Sequence, residues 1–457
     1  MFYLSVIGLV VGTALQTVGA IDVDTATEMY LYAWPLVMSS LTRESMFYLP
    51  DNVMLPMPVF PNPNLTAIVK PNVDTLYDAC WINHEVQEDL ILEVPDTTEG
   101  VYWLYPLMDA WTNIVGSPGW RTTGAGAQRV LIRGPFSNQT DPAPGEYDLV
   151  LRSPTSSVYL LGRTNVANQS DLRPTQEQML SYRLKWGDPL FPSHTGDDTA
   201  KDTASTEAQL GTTVDDIFAM SADEFFTTFA SLLTLNPPVL PQDTDIVTRM
   251  QAEYNITAGQ SWAFADLSAE QRVALVAGTE KGAALMYAYP VRRVNGWTQP
   301  NLQTGAYDSD YYLRAYIALV LYAANLPQDA VYFVSEMMPG GDKVYTLEFD
   351  ATDPSPGGGL PPTEMFWSVT MYSEQGFLVA NEDAIYSVSS QQPLKLRTDG
   401  SVHITVSMDP PSDTAAAETN WLPAPQAGED FQLTLRVYWP QEAILNATWT
   451  PPALVEV

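Results

Sequence analysis

The stretch from Asn72 to Pro135 constrains the fold more than any other part of the chain. It opens Asn72-Val73-Asp74-Thr75-Leu76-Tyr77 and closes Arg121-Thr122-Thr123-Gly124-Ala125-Gly126, then Gln128-Arg129-Val130-Leu131-Ile132-Arg133-Gly134-Pro135. Between those ends lie three runs rich in aromatic and branched residues, broken by Pro95-Asp96 and by Gly116-Ser117-Pro118-Gly119. Such side chains suit a pleated, half-buried surface, and Gly and Pro supply tight turns, so the spacing predicts an antiparallel meander. Two more short strands are expected at 146–151 and 157–161, separated by Ser153-Pro154, to complete a sandwich or barrel.

The Asn-x-Asp-Thr-Leu-Tyr opening, the Thr-Gly-x-Gly close and the later Ser153-Pro154-Thr155-Ser156-Ser157-Val158-Tyr159-Leu160-Leu161-Gly162-Arg163-Thr164 resemble the domain-of-unknown-function family 1254. Farther on, Leu313-Arg314-Ala315, Ala324-Asn325-Leu326-Pro327-Gln328-Asp329-Ala330-Val331-Tyr332, Phe366-Trp367-Ser368-Val369-Thr370-Met371-Tyr372, Asn420-Trp421-Leu422-Pro423-Ala424-Pro425 and Leu435-Arg436-Val437-Tyr438-Trp439-Pro440 resemble family 1214, its usual C-terminal companion. The resemblance implies an α+β protein of two antiparallel β-sandwich, jelly-roll-like domains joined by a helical connector. It implies an architecture and no particular activity.

A chain of 457 residues is long enough for two cores. The expected division is a signal peptide over 1–20, a first β domain with an N-terminal helix over 21–170, a helical connector over 171–309, and a second β domain over 310–457. The signal rests on the apolar run Leu4 to Val18 and on the small residues Val18-Gly19-Ala20 before Ile21, too short a run to hold a stable membrane span. Five Asn-x-Ser/Thr sequons, at Asn64, Asn138, Asn168, Asn255 and Asn446, agree with a secreted, extracellular glycoprotein. Thr25-Ala26-Thr27-Glu28 reads as a capping box that starts a helix kinked at Pro35, and Ser221-Ala222-Asp223-Glu224 and Ser268-Ala269-Glu270-Gln271 as two more boxes. Further helices are expected at 175–185 and 311–326, the latter apolar on most sides and buried between the domains. The polar stretch 191–213 reads as mobile, and the loop 350–362 as a hairpin tip around Gly357 to Gly359. Strands are expected at 344–349, 365–372, 376–378, 402–406 and 433–438, all antiparallel.

Charge and residue types exclude several functions. With 54 acidic against 21 basic residues the net charge is −33, a field that repels polyanions over a Debye length of about 8 Å and beyond, so nucleic acid is not an expected partner. Cys80 is the single cysteine, which removes intrachain disulfides and thiolate metal sites; in an extended strand it would lie ~13 Å from His84 and act as a small apolar residue. His84, His194 and His403 are scattered without metal-ligand spacing, and Gly124-Ala125-Gly126 lacks the third glycine and the helix of a dinucleotide fingerprint. No metal and no cofactor is expected.

Carboxylates remain for acid–base work. Asp74 and Asp109 belong to the family-like motifs, with Tyr77 and Arg163 as companions, so these four are the candidate catalytic residues. Asp109, Trp111 and Asn113 would share one face of an extended chain, offering an acceptor, an apolar wall and an amide, with Tyr105 as a second aromatic wall. The alternative is structural: Asp74 capping a turn and Asp109 paired with Arg121 or Arg163. Two functional readings stand. One is a secreted protein that binds a neutral small molecule in a cleft of the first domain and transforms it as a hydrolase or lyase; the other is a non-catalytic extracellular binding or structural protein. A homo-oligomer is compatible with both.

Overall fold

The structure is a computed structural model that describes residues 22–457 except 47–48, 66–69, 87, 98–99, 187–209, 239, 354–358 and 413–417. The expected signal segment, His194, Gly357 and Gly358 lie outside the described residues, as does most of the stretch 191–213.

The first β unit has two sheets. Strands Leu55–Met57, Thr75–Asn83, Ser157–Asn165, Leu107–Asp109 and Ile114–Gly116 are neighbours in that order, with Trp103–Leu104 also paired to Ser157–Asn165. The other sheet runs Arg183–Trp186, Asp89–Val94, Gln128–Arg133, Leu149–Arg152. Alternation along Thr75–Asn83 explains the packing: Leu76, Cys80 and Ile82 join Leu90, Leu92, Val130 and Ile132 of the second sheet in one core. Ala79 and Trp81 face the other way, against Tyr159, Met46 and Leu49. Burying each large apolar side chain there contributes roughly 1.5–3 kcal/mol.

No meander forms, because the consecutive strands Thr75–Asn83 and Asp89–Val94 enter different sheets and each pairs with a strand distant in sequence. The apolar residues on both of their faces need cover on two sides, which two sheets provide and one meander does not. Gln128–Arg133 and Leu149–Arg152 pair parallel, as do Val402–Ser407 and Asn420–Pro423, so the sheets are largely rather than wholly antiparallel.

The helices gather around the first of them, Val23–Ser45, which Asp22 caps by accepting the Asp24 N–H. It therefore begins ahead of the expected capping box, and Thr25 and Thr27 are buried inside it; the helix continues through Pro35. Its Tyr30, Tyr32 and Trp34 pack with Phe225, Phe226 and Phe229 of the helix Ala222–Leu232 and with Leu275 of the helix Ala269–Tyr287. Both of these helices start at the expected boxes, on Ser221 and Ser268. A Cβ at Gly278 would lie 2.7 Å from the Ala26 carbonyl carbon and 2.8 Å from the Thr27 nitrogen. Only hydrogen fits there, which accounts for a glycine inside a helix despite its roughly 1 kcal/mol cost.

Other helices depart from expectation. The one at 175–185 is Arg173–Ser181, followed at once by the strand Arg183–Trp186, and two helices, Leu210–Ala219 and Thr244–Tyr254, had no cap signal strong enough to announce them. The helix at 311 is Tyr311–Val320, capped by Asp310; it stops where Leu321 leaves helical geometry with φ −151°. It packs in part on the first helix, with Leu313, Arg314, Ala315, Ile317 and Ala318 buried and Val320 half exposed.

The second β unit pairs a large sheet, ordered Arg293–Val294, Trp297–Thr298, Ala330–Ser335, Asp430–Pro440, Thr363–Ser373, Ser387–Ser389, with a smaller one, ordered Asn420–Pro423, Val402–Ser407, Tyr345–Phe349, Val455–Glu456. Leu433, Leu435 and Val437 of the long strand Asp430–Pro440 meet Leu347, Ile404 and Val406 in one core. The segment expected as a strand at 376–378 makes a single bridge from Leu378 to Tyr372. The whole is a mixed α and β fold whose sheets are open. Among the described residues no helix is long and apolar enough to cross a membrane.

Candidate functional site

The outward face of the large second sheet should be solvated by its alternation, yet it is buried. On Asp430–Pro440 the residues Thr434, Arg436 and Tyr438 point away from the apolar core, as do Ser368, Thr370 and Tyr372 on Thr363–Ser373, and all six are buried. Antiparallel register sets Tyr332, Arg436 and Ser368 side by side across three strands. Their cover comes from the segment that opens the first unit.

The contacts across this boundary are polar. The Ser368 hydroxyl donates to Asp74 Oδ2 at 2.5 Å, Asn72 Nδ2 donates to the Tyr438 hydroxyl at 2.5 Å, and the Tyr372 hydroxyl donates to the Pro71 carbonyl at 2.6 Å. Arg436 donates to Thr370 Oγ1 at 3.2 Å and to the Lys70 carbonyl at 2.9 Å. From the first unit, Arg163 stands opposite Tyr77 in the ladder, with its guanidinium 5.5 Å from the Tyr77 ring centre. It donates to the carbonyls of Leu161 and Ala323, each at 3.1 Å. Asn325 Nδ2 donates to the Tyr332 hydroxyl at 2.7 Å. Tyr77, Tyr332 and Lys70 are partly exposed, so the cluster reaches solvent there.

Burial dominates the electrostatics. It raises the Asp74 carboxyl above its usual range, against the opposing pull of the Ser368 hydrogen bond and the Arg436 charge. Asp74 Oδ1 has no hydrogen-bond partner among the described residues. Burial, with Arg436 adding to it, brings the Lys70 ammonium down to about 8, and burial pushes the Tyr332 and Tyr438 phenols up. A carboxyl, an ammonium and phenols with displaced proton affinities are the groups that acid–base chemistry uses.

The sequence-predicted residues divide among three places. Asp74, Tyr77 and Arg163 come together in this cluster, which lies between the two β units rather than in a cleft of the first. Asn72 caps the turn there, through its Oδ1 and the Asp74 N–H, so Asp74 itself is not the cap. Tyr105 is inside the first core, where its hydroxyl donates to Asp78, a buried carboxyl pushed up to about 7 by burial.

Asp109 is elsewhere again. Its partner in the ladder is Val158, whereas Asp74 bonds Val166, eight residues along the same chain or ~26 Å at about 3.3 Å per residue. The segment does not stay extended: Thr112 takes φ +69°, the chain turns, and Asp109 Oδ1 accepts the N–H groups of Trp111 at 2.9 Å and Asn113 at 2.8 Å. Trp111 is directed into the helical core, donating to the Pro237 carbonyl at 3.2 Å and packing on Tyr32. The charge near Asp109 is Arg314, while Arg121 pairs with Asp329 at 2.6 Å. Asp109, Trp111, Asn113 and Tyr105 thus do not join Asp74.

Lys70, Asn72, Asn325, Tyr332, Ser368, Tyr372, Arg436 and Tyr438 were not singled out from the sequence. All but Lys70 stand inside the motifs that carry the two family resemblances, which is the signal that could have found them, while the alternation of Arg436 and Tyr438 with Leu435 and Val437 by itself reads as a solvated face. Two surface concavities lie apart from the cluster, one of about 480 Å³ lined by Ser40, Arg43, Glu44, Leu49 and Asp51, the other of about 150 Å³ near Leu233 and Met250. The five sequon asparagines are all exposed. Cys80 is buried, and burial pushes its thiol up, away from the thiolate.

Residues 52–185 match DUF1254, described as a protein of unknown function, and residues 336–442 match DUF1214, described in the same words. Comparison of the sequence with curated proteins finds no match. Among solved structures, the VPA0106 protein from Vibrio parahaemolyticus superposes with a TM-score of 0.68 at 18% identity, over 95% of this chain and 99% of that one, a likeness of fold. An uncharacterised protein from Burkholderia cenocepacia aligns at a TM-score of 0.45 and 11% identity, over 95% of this chain and 94% of that one. Asp74, Tyr77 and Arg163 fall in the first matched segment, Ser368, Arg436 and Tyr438 in the second, and the cluster is where the two meet. The chain carries a DUF1254 segment followed by a DUF1214 segment.

Proposed function

We propose that this protein binds a small molecule at the Asp74–Arg163–Arg436 cluster and transforms it by hydrolase- or lyase-type chemistry, with Asp74 as the acid–base group. The observation that carries the reading is Asp74 itself: a buried carboxyl raised by desolvation, with one oxygen held by Ser368 and the other unpartnered. Asp329 also leaves one buried oxygen unpartnered but has the Arg121 guanidinium on the other, whereas Asp74 has only a hydroxyl. Tyr77, Tyr332 and Tyr438 supply hydroxyls beside it, and their apolar rings form a wall for a small ligand. A net charge of −33 favours a small ligand over nucleic acid. In this reading the two sheets of each β unit form jelly-roll-like sandwiches that hold the cluster rigid between them.

The test is a thermal-shift panel of small molecules on the parent, followed by turnover of any hit. Asp74→Asn is expected to fold and to lower turnover by about 100-fold or more, the usual contribution of a positioned general base. Full turnover in a folded Asp74→Asn protein overturns the catalytic reading; retained ligand affinity without turnover in the parent favours the binding protein.

The reading also places the protein outside the cell, after cleavage near Ala20, with glycans on the exposed sequons. Expressed in a eukaryotic host, the protein in the medium is expected to begin at Ile21 and to lose mass on enzymatic deglycosylation. An intact mass that still includes residues 1–20 would contradict it.

A further inference from the structure

We infer that the ligand of this site is anionic, carrying a carboxylate or phosphate group that the guanidinium groups of Arg163 and Arg436 receive. The inference rests on the site proposed above and replaces the neutral ligand expected from the sequence.

Cations are scarce in this chain, 21 against 54 acidic residues; of the other arginines placed inside, two have found acids and Arg314 sits in a cage of three aromatic rings near Asp109. Arg133 pairs with Asp89 at 3.2 Å, and Arg121 with the fully buried Asp329 at 2.6 Å. Arg163 and Arg436 are 5% and 4% exposed, and neither forms an ion pair among the described residues. Their bonds go to carbonyls and hydroxyls, which satisfy N–H groups without neutralising the charge. An unneutralised buried charge costs several kcal/mol, roughly, and two of them facing the same phenols at a partly exposed edge favour a compensating anion.

Asp74 cannot be that anion for both. It acts on Arg436 from beyond ion-pair distance, and burial disfavours its charged form. The fields of Arg163 and Arg436 converge, since each acts on Tyr332 and on Tyr438. Lys70, beside Arg436, adds a third cation at the partly exposed edge. The planar forks, each 5.5 Å from a tyrosine ring centre, Arg163 at Tyr77 and Arg436 at Tyr372, match the oxygens of a carboxylate or phosphate, and the open Oδ1 of Asp74 would accept a hydroxyl or amino proton of the same ligand.

The experiment is a thermal titration of the full chain with sodium malonate in one arm and sodium phosphate in the other, against sodium chloride at matched ionic strength. At least one arm is expected to give a saturable rise in Tm that chloride lacks; malonate alone assigns a carboxylate, phosphate alone a phosphate group. Arg436→Gln is expected to abolish the rise, and Arg163→Lys, which keeps the charge but loses the fork, to weaken binding about tenfold. If Arg436→Gln does not fold, Arg163→Lys decides. No rise beyond chloride in either arm, or a rise unchanged in both variants, overturns the inference. A neutral hit whose binding requires Asp74 but not Arg436 would also overturn it while leaving the site intact. Anion binding beside a turnover indifferent to Asp74→Asn would do the reverse.

Discussion

An Asp78→Asn protein is expected to lose about 4 kcal/mol of the fall in stability that the parent shows between pH 4 and pH 8. Asp78 lies in the strand Thr75–Asn83 opposite Gly162, with its carboxyl buried in the first core and accepting a hydrogen bond from Tyr105. Gly162 is a glycine because a Cβ there would collide with the Tyr105 ring. Burial raises the carboxyl from 3.8 to about 7, the Tyr105 bond opposing. A folded pKa above the unfolded one means that the folded state binds the proton more tightly. Stability from this group is therefore fully present below pH 4, declines as pH rises through the window, and is lost above pH 7. A shift of about three units corresponds to about 4 kcal/mol, a large share of a typical 5–15 kcal/mol. Asparagine keeps the acceptor for Tyr105 and carries no charge. Urea unfolding at pH 5 and pH 8 measures it, and a variant with the parent's full pH dependence would show that Asp78 is not the group responsible.

Asp78 was in plain view in the sequence, inside Asp78-Ala79-Cys80-Trp81-Ile82, but nothing local distinguishes a buried carboxyl from a solvated one on an alternating strand. The same limit hid the site. Arg436 and Tyr438 alternate with Leu435 and Val437 as a water-facing row would, and their burial depends on residues more than 360 positions earlier, Asn72 and Lys70. What was legible was what is local: the capping boxes at Ser221 and Ser268 and most of the strands. Sheet membership was not, since Thr75–Asn83 and Asp89–Val94 are adjacent in sequence but pair with partners chosen by long-range packing. The trio Asp109, Trp111 and Asn113 failed for a reason in the backbone, because the left-handed Thr112 turns a segment that an apolar pattern presents as extended. The motif block did hold Asp74, Tyr77 and Arg163, three of the four residues expected to act; the second half of their site came from the other matched segment.

Replacing Arg314 by Met is expected to cost about 3–5 kcal/mol at pH 8 and distinctly less at pH 5. Arg314 is fully buried where the helix Tyr311–Val320 meets the first helix, its guanidinium 5.1, 5.4 and 5.2 Å from the ring centres of Tyr32, Trp111 and Tyr311. The hydroxyls of Tyr32 and Tyr311 both donate to Asp243, at 3.3 and 3.0 Å, so the cage closes on a carboxylate. Methionine fills similar space but removes the charge, and with it the cation–π attraction and the partner of the nearby acids. Asp109 then supplies the pH dependence. Burial raises it to about 6 while Arg314 and the Asn113 and Trp111 bonds hold it down, so removing Arg314 moves the folded pKa further up. Its charged form becomes costlier above that pKa, whereas at pH 5 the carboxyl is already largely protonated in the variant and the electrostatic part of the cost falls away. Packing losses do not change with pH. An equal loss at the two pH values would mean that the cage is held by packing alone; partial recovery of stability at pH 8 in Arg314→Met with Asp109→Asn would establish that the two residues are coupled.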